Sequence, residues 1–386
     1  MHIGGVQRSL VSLLWNIRGQ YDVTLLLFSP SGDCLSELPP ETKLLTTGSA
    51  YRYLGMTKYD VKTISDKLGR AFWAGLFCLL GRKRVMPLMS LTQKKLTGYD
   101  IAISYLHDAA ETLFYGGCNH FVLNQTDASR KIAFLHCDYV ACGANTPQNA
   151  ALYAKFDGIA ACSQGCADRF LSVNSQLLHK VRVVTNFHRF DKIRTEADAS
   201  PITFPDGKIH IVTVARLGKE KSVDRAVKAI AQLGDLAKQM HYYIVGDGIE
   251  RDNILRDIER YGLAETVSLC GELSNPYGYL RAADLLLIPS YSEAAPLVID
   301  EAVSLGTPVL STETSSAREM IADRGLGWVC ENSVNGIAEG LRCLLTNPDE
   351  ISKWREAVLA YPSDNTKAMA QFRSLIDESS MHVLSL

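Results

Sequence analysis

From residue 209 onward the chain repeats one pattern: a short apolar run, turn residues, then a stretch of helical period. The apolar runs fall at residues 209–214, 242–245, 267–270, 284–289, 308–311 and 327–330. Runs this short suit strands, and strands alternating with helical stretches predict a parallel sheet with crossover helices, because parallel neighbours cannot be joined by a tight hairpin. Between the first two runs, Val223, Ala226, Val227, Ile230 and Leu233 recur at the spacing of one helix face, which predicts an amphipathic helix packed on the sheet.

The first half reads the same way, with strands expected at residues 23–28, 101–105, 132–136, 158–162 and 181–185. A chain of 386 residues suits two domains of roughly 150 to 200 residues each. The predicted fold is therefore α/β, with two Rossmann-like domains, parallel sheets and a cleft between them. The first domain is expected over residues 1–190 and the second over 208–361. Residues 191–207 are polar, contain proline and lack periodicity, which marks a linker. A helix at 351–361 is interrupted at Pro362-Ser363-Asp364-Asn365, and residues 362–386 are expected to form a final helix returning to the first domain.

A formal net charge of −2 and 47% hydrophobic residues describe an ordinary globular protein with no electrostatic footprint for nucleic acid. The ten cysteines are scattered, and the nearest groupings, Cys137/Cys142 and Cys162/Cys166, lack the CxxC spacing that grips a metal. No metal site is expected, and free thiols without a signal peptide fit a reducing cytoplasm. No apolar run reaches the roughly 18 to 20 residues needed to span a bilayer. The longest, residues 71–80, is bracketed by Lys58, Lys62, Lys67 and Arg70 before and by Arg82, Lys83, Arg84, Lys94 and Lys95 after. Two readings stand: a segment lying on an anionic membrane face through Arg70, Phe72, Trp73, Arg82, Lys83 and Arg84, or a buried core helix with solvated basic ends.

Three motifs carry chemistry. Gly4-Gly5 leads into a helix with an apolar face at Leu10, Leu13, Leu14 and Ile17. Two glycines at a helix start let a phosphate approach backbone N–H groups, although such a pair is more often just a tight turn. A Rossmann-like domain places a strand before such a loop, and only Met1, His2 and Ile3 precede it, so two expectations stand: the first strand is missing, which would leave a sheet edge open, or the start site is misassigned. The second motif runs from Val214 to Lys221 at the carboxyl end of a strand, where open α/β sheets bind ligands. Arg216 offers a planar fork and Lys221 a mobile point charge for a diphosphate. In the third, Pro296 fits the first helical position and Gly306 the position past the end, giving a helix over 296–305. Glu293 then sits in the loop before it and Glu301 inside it, where a buried carboxylate needs a hydrogen-bonding partner. Backbone N–H groups around Ala295, Pro296 and Leu297 add an anion cradle. Gly246-Asp247-Gly248 is only a turn into a helix; GxGxxG is not completed, so a dinucleotide fingerprint is absent.

In this order the motifs resemble the GT-B retaining glycosyltransferases often called family 4. The most specific element is Glu293 and Glu301 in E-x7-E, with Arg216 and Lys221 upstream and Gly271-Glu272-Leu273 and Asn275-Pro276-Tyr277 between. The resemblance implies two facing Rossmann-like domains, with the second holding a nucleoside-diphosphate sugar and the first a glycan or lipid-linked acceptor. It implies that Arg216 and Lys221 contact the diphosphate, Glu301 the ribose and Glu293 the donor sugar. Glu272 joins the donor-binding set, Gly4 and Gly5 approach the phosphate, His136 lies near the donor sugar, and Asn186 serves an interdomain turn. The usual Glu-Gly is Glu293-Ala294 here, which implies a locally different donor loop.

The activity so implied is retaining, metal-independent transfer, most simply from a UDP-sugar, for cell-surface polysaccharide synthesis. The nucleotide-sugar is a substrate, no cofactor is needed, and the location is cytoplasmic, peripheral to the membrane if the basic-flanked segment docks there. The rival readings are a nucleotide-sugar-binding subunit that does not transfer, suggested by Ala294 and the missing strand, and a nicotinamide-dependent dehydrogenase, disfavoured by the absent fingerprint.

Overall fold

A computed structural model describes residues 4–56, 60–61, 63–108, 113–205 and 207–377. Lys58 and Lys62 lie outside these. The chain divides into two compact units, one running to Phe187 and resuming at Asn365, the other spanning His188–Asp364.

The second unit is built on one parallel sheet. Its strands are β7 (Ile209–Val214), β8 (Met240–Val245), β9 (Val267–Gly271), β10 (Leu285–Ile288), β11 (Val309–Thr312) and β12 (Gly327–Cys330), with spatial order β12-β11-β10-β7-β8-β9. Each expected strand appears, shifted by two residues at most. The run Leu285-Leu286-Leu287-Ile288 shows why a continuous apolar segment is needed. Leu285 and Leu287 enter one core with Ile211, Val227 and Ile230, while Leu286 and Ile288 enter another with Val212, Ile299 and Val303. Successive side chains point to opposite faces, and both faces of a parallel sheet are covered. The helix Val223–Ala231 presents the expected stripe: Val223, Ala226, Val227 and Ile230 are buried in the first of these cores.

The predicted linker is corrected. Most of residues 191–207 belong to the helix Phe190–Ala199, whose Phe190, Ile193 and Ala197 pack into the second core. Three apolar residues separated by charged ones hid a stripe that needs only one narrow face.

The first unit holds α1 (Gly5–Ile17) and two parallel sheets. One pairs β1 (Thr24–Leu27) with β2 (Lys43–Thr46); the other has the order β3 (Ile101–Ser104), β4 (Arg130–Leu135), β5 (Gly158–Ala161) and β6 (Val181–Val183). Strand β2, absent from the sequence reading, is exposed throughout, so no buried periodicity announced it. Leu13, Leu14 and Ile17 of α1 share a core with Ile132, Phe134 and, from the terminal helix Thr366–Asp377, Phe372 and Leu375.

Residues 71–80 lie in a longer helix, Ile64–Leu80, which combines both sequence readings. Phe77 is buried in a core with Tyr51, Leu54 and Met86, with Trp73 packed against it. The other face exposes Ile64, Leu68, Phe72 and Leu79 at 76%, 67%, 62% and 80%. Two expected membrane-facing residues are corrected. Arg82 is held inside, its Nη2 2.8 Å from Asp108 with both side chains buried, because a desolvated carboxylate demands a charged partner. Trp73 turns toward the core, and Arg70 sits 5.9 Å from the Phe114 ring. Phe72, Lys83 and Arg84 remain exposed.

Candidate functional site

Strand order fixes where the second unit can bind a ligand. From β7 the chain moves to β8 and β9 on one side, then returns to β10, β11 and β12 on the other. The switch point lies between β7 and β10, and at the carboxyl ends of such neighbours two loops part and leave a crevice. The loop after β7 carries Arg216 and Lys221; the loop after β10 carries Glu293. Their side chains meet: Lys221 Nζ lies 2.6 Å from Glu293 Oε1, with side-chain exposures of 26% and 10%.

Each partner is positioned by its loop. Ser222, directly after Lys221, holds a left-handed backbone (φ 48°), the one non-glycine residue with positive φ among the described residues. Its hydroxyl donates to the Lys219 carbonyl at 2.6 Å, and a strained residue of this kind costs on the order of 1 kcal/mol that surrounding contacts must offset. On the other loop, the Ser290 hydroxyl donates to Glu293 Oε1 at 2.7 Å and that of Ser315 to the Glu293 carbonyl at 2.6 Å. The Tyr291 amide donates to the Glu220 carbonyl at 3.0 Å, joining the two loops directly. Arg225 stacks on the Tyr291 ring at 4.1 Å and donates to Asn332, whose amide bonds the Tyr291 carbonyl. A small cavity of about 20 Å³ lies beneath the pair, lined by Thr213, Val214, Pro289, Ser290 and Val298. It is the size of one water, too small for a nucleotide or a sugar.

The Gly246-Asp247-Gly248 turn has more to do than sequence reading assigned. The Leu217 amide donates to the Asp247 carbonyl at 2.8 Å and the Glu250 amide to the Leu217 carbonyl at 3.0 Å, so this turn clamps the Arg216 loop. A Cβ at Gly246 would overlap the Ala215 carbonyl oxygen.

Other expected residues fall less centrally. Arg216 is 78% exposed and its Nη2 lies 2.7 Å from Glu220. Burial raises the Glu220 carboxyl, but backbone hydrogen bonding and Arg216 outweigh it and the net shift is downward. The predicted helix is observed as Leu297–Ser304, with Pro296 as its extended N-cap; the boundary moves one residue inward because ψ of 121° at Pro296 is not helical. The Leu297 and Val298 amides then belong to the first turn, where no intrahelical carbonyl is available. Glu301 is buried at 6% exposure, and the Tyr277 hydroxyl donates to its Oε1 at 3.4 Å. The partner that burial requires thus comes from the protein, and Glu301 does not line the cavity. Glu272 is exposed after β9 at the sheet edge, with β8 between it and β7, so the structure does not bring it to the Lys221–Glu293 pair.

Asp300, which sequence reading passed over, joins His188 Nε2 at 3.2 Å and Arg324 Nη1 at 3.1 Å. Burial raises its carboxyl, yet the two partners outweigh this and hold it below the usual range.

In the first unit, His136 follows β4, with ring centroids 4.6 Å from Tyr105 and 5.7 Å from Phe134. Burial, and secondarily His107, lower its pKa to about 3, so the ring is neutral at pH 7. Its Nε2 is buried with no hydrogen-bond partner among the described residues, which leaves it available to a ligand hydroxyl. Gly4 caps α1 in an extended conformation, and a Cβ at Gly5 would meet open space; packing within the unit does not itself require glycine there. Asn186 accepts a hydrogen bond from Ser9 of α1 at 2.9 Å, and Ser9 Oγ also lies 2.8 Å from the Tyr105 hydroxyl. Among the described residues no group of three or more His, Cys, Asp or Glu side chains could hold a metal ion, and no helix is long and apolar enough to cross a membrane.

Known proteins share this architecture. The chain is 30% identical over 158 residues to the putative colanic acid biosynthesis glycosyltransferase WcaL of Escherichia coli K12, covering 38% of each protein. It is 28% identical over 204 residues to the N-acetylgalactosamine-N,N'-diacetylbacillosaminyl-diphospho-undecaprenol 4-alpha-N-acetylgalactosaminyltransferase of Campylobacter jejuni, covering 52% of this chain and 54% of that one. The matches thus span between about two-fifths and about half the length of these relatives. The crystal structure of Anabaena HepE in complex with UDP superposes with a TM-score of 0.66 at 16% identity, covering 98% of this chain and 96% of that one; this likeness establishes the fold. Residues 195–359 match the family of glycosyl transferases group 1, and they include the entire sheet that carries Lys221 and Glu293. Over this region the chain is similar to the group 1 glycosyl transferases, and its fold is of the GT-B type.

Proposed function

We propose that the protein is a retaining, metal-independent glycosyltransferase that moves a sugar from a nucleoside-diphosphate sugar to a glycan or lipid-linked acceptor. The observation that carries the reading is the Lys221–Glu293 pair at the β7/β10 switch point. Lys221 supplies a cation to a departing diphosphate, and Glu293 accepts hydrogen bonds from donor hydroxyls. Arg216, whose one partner among the described residues is exposed Glu220, can turn toward a second phosphate, and the first-turn amides of the Leu297–Ser304 helix offer further donors. Fixed cationic groups of this kind stabilise a leaving diphosphate without an added ion.

In the reaction, the bond from anomeric carbon to phosphate oxygen breaks as the acceptor hydroxyl bonds to the same face. The acceptor proton passes to the departing phosphate oxygen. Neutral His136 serves as a hydrogen-bonding group for a sugar hydroxyl, and Glu301 as a ribose ligand. A UDP donor is favoured by the likeness to HepE, which was crystallised with UDP, and a lipid-linked acceptor by the name of the Campylobacter relative. The test is nuclear magnetic resonance of the product formed from a UDP-sugar. Retained anomeric configuration supports the reading. Inversion overturns it, and saturable donor binding without sugar release points instead to a non-transferring subunit.

The exposed face of the Ile64–Leu80 helix supports peripheral membrane docking as part of this function. Ile64, Leu68, Phe72 and Leu79 form one stripe, and Lys67, Lys83 and Arg84 flank it in solvent. An apolar face rimmed by cations suits an interface of anionic lipids. Leu68→Asp with Phe72→Asp is expected to lower cosedimentation with phosphatidylglycerol vesicles by roughly tenfold or more, with the folded state retained; equal sedimentation of variant and parent would refute docking through this face.

A further inference from the structure

All ten cysteines are free, and four of them gather at the carboxyl ends of neighbouring strands in the first unit. Cys137 and Cys142 lie in the loop leaving β4, while Cys162 follows β5 and Cys166 sits in the helix Gln164–Leu171. Cys162 and Cys166 are buried, and the Cys166 sulfur lies 3.2 Å from the Cys137 carbonyl oxygen, so it anchors the Cys137 peptide from beneath. Cys142 is exposed and Cys137 half-buried, with their sulfurs 3.3 Å apart. The turn between them holds this approach. The Asp138 carboxylate accepts from the Val140 and Ala141 amides at 3.2 and 3.0 Å, and the Cys142 amide donates to the Asp138 carbonyl at 2.9 Å. Arg169 fixes the same carboxylate at 3.2 Å, and Gly143, with φ of 71°, ends the turn. Two thiols this close share a proton. The Cys137 S–H donates to the Cys142 thiolate, which draws the Cys142 pKa down to about 7 and pushes that of Cys137 up. At pH 7 Cys142 is thus about half thiolate, against a few per cent for an ordinary thiol.

We propose that Cys137 and Cys142 form a modification site, a dithiol that a peroxide converts to an intramolecular disulfide. A disulfide needs its sulfurs at about 2.05 Å, so they must approach by roughly 1.2 Å, and the exposed Cys142 side chain has room to turn. The Cys142 thiolate attacks the peroxide; a sulfur–oxygen bond forms, the oxygen–oxygen bond breaks, and the departing hydroxide takes up a proton as water. The Cys137 sulfur then attacks the sulfenic acid at Cys142, forming the sulfur–sulfur bond as the sulfur–oxygen bond breaks and a second water leaves. Together the two thiols give up two electrons and two protons, and the peroxide receives them. A dithiol reductant reverses the step by exchange. The bridge closes on the residue next to His136, whose Nε2 is buried without a partner among the described residues, and so tethers the turn to the peptide that carries this ring. The inference rests on the two sulfurs and stands independently of the donor-site reading.

The test treats the whole reduced chain with hydrogen peroxide at pH 7, blocks the remaining thiols and maps the peptides by mass spectrometry. A Cys137–Cys142 bridge within one chain, two hydrogens lighter than the dithiol, is expected, and dithiothreitol is expected to restore both thiols. The control in the same sample is Cys78, exposed on the Ile64–Leu80 helix. Cys142 is expected to be consumed about threefold or more faster than Cys78, since its larger thiolate fraction outweighs the lower nucleophilicity of that thiolate. Cys137→Ser is expected to leave Cys142 as a sulfenic acid that dimedone traps, and Cys142→Ser to leave Cys137 reduced. The map of the unmutated chain decides the proposal even where a variant fails to fold. Absence of the bridge, a bridge joining other cysteines or two chains, or consumption of Cys78 ahead of Cys142 would each overturn it.

Discussion

Lys221→Ala and Glu293→Gln are each expected to lower sugar transfer by about 100- to 1,000-fold, measured as turnover at saturating donor. The two side chains bond each other at 2.6 Å, and this pairing holds both at the crevice floor until a ligand divides them. Removing Lys221 takes away the cation nearest the switch point, and the Ser290 hydroxyl still satisfies Glu293, so the fold persists. Glu293→Gln keeps the shape and the Ser290 contact but loses the charge that holds the lysine in place. A fall in turnover without a comparable fall in melting temperature separates loss of transition-state stabilisation from unfolding. Wild-type rates in both variants would remove the pair from the mechanism.

The largest effect on stability is expected at Gly246. Its φ of 144° disfavours any side chain, and a Cβ would strike the Ala215 carbonyl oxygen, which is backbone and cannot swing aside. Gly246→Ala is expected to cost about 3 kcal/mol or more, which for a unit of this size lowers the melting temperature by roughly 6–12 °C. Gly262 makes the control, since its φ is 65° but a Cβ there meets nothing within 4 Å. Gly262→Ala should carry only the backbone penalty of about 1 kcal/mol. Denaturant titration of the two variants checks the difference; equal losses would mean that the clamp between the Gly246 turn and the Arg216 loop is not the cause. Because the Leu217 amide and carbonyl are both held by that turn, Gly246→Ala also loosens the loop that presents Lys221.

What the sequence made legible follows from how local each signal is. Leu285-Leu286-Leu287-Ile288 could be assigned because a strand covered on both faces needs apolar residues at every position, and the Val223 stripe because burial on one helix face has a fixed period. Lys221 and Glu293 were legible as separate motifs, each at a strand end. Their contact was not, because it depends on β7 and β10 being neighbours although 70 residues of chain separate Val214 and Leu285. For the same reason Arg225, Asn332 and Ser315 were invisible: they act on the Tyr291–Glu293 loop from elements distant in sequence. Tyr277 lay within a noted segment, but nothing local connected its hydroxyl to Glu301. Arg82 was misassigned because a basic residue beside an apolar run looks the same whether it faces lipid or a buried Asp108. Glu272 was grouped with the donor residues by motif order, which carries no information about strand order.

The central claim is that the β7/β10 switch point, through Lys221, holds a nucleoside diphosphate. Isothermal titration of UDP into the wild-type chain and into Lys221→Ala tests it most directly. The account predicts a single site in the wild type, weakened by roughly tenfold or more in the variant, as loss of one charge-assisted contact implies. Equal affinity in the two proteins, with the variant folded, would contradict it.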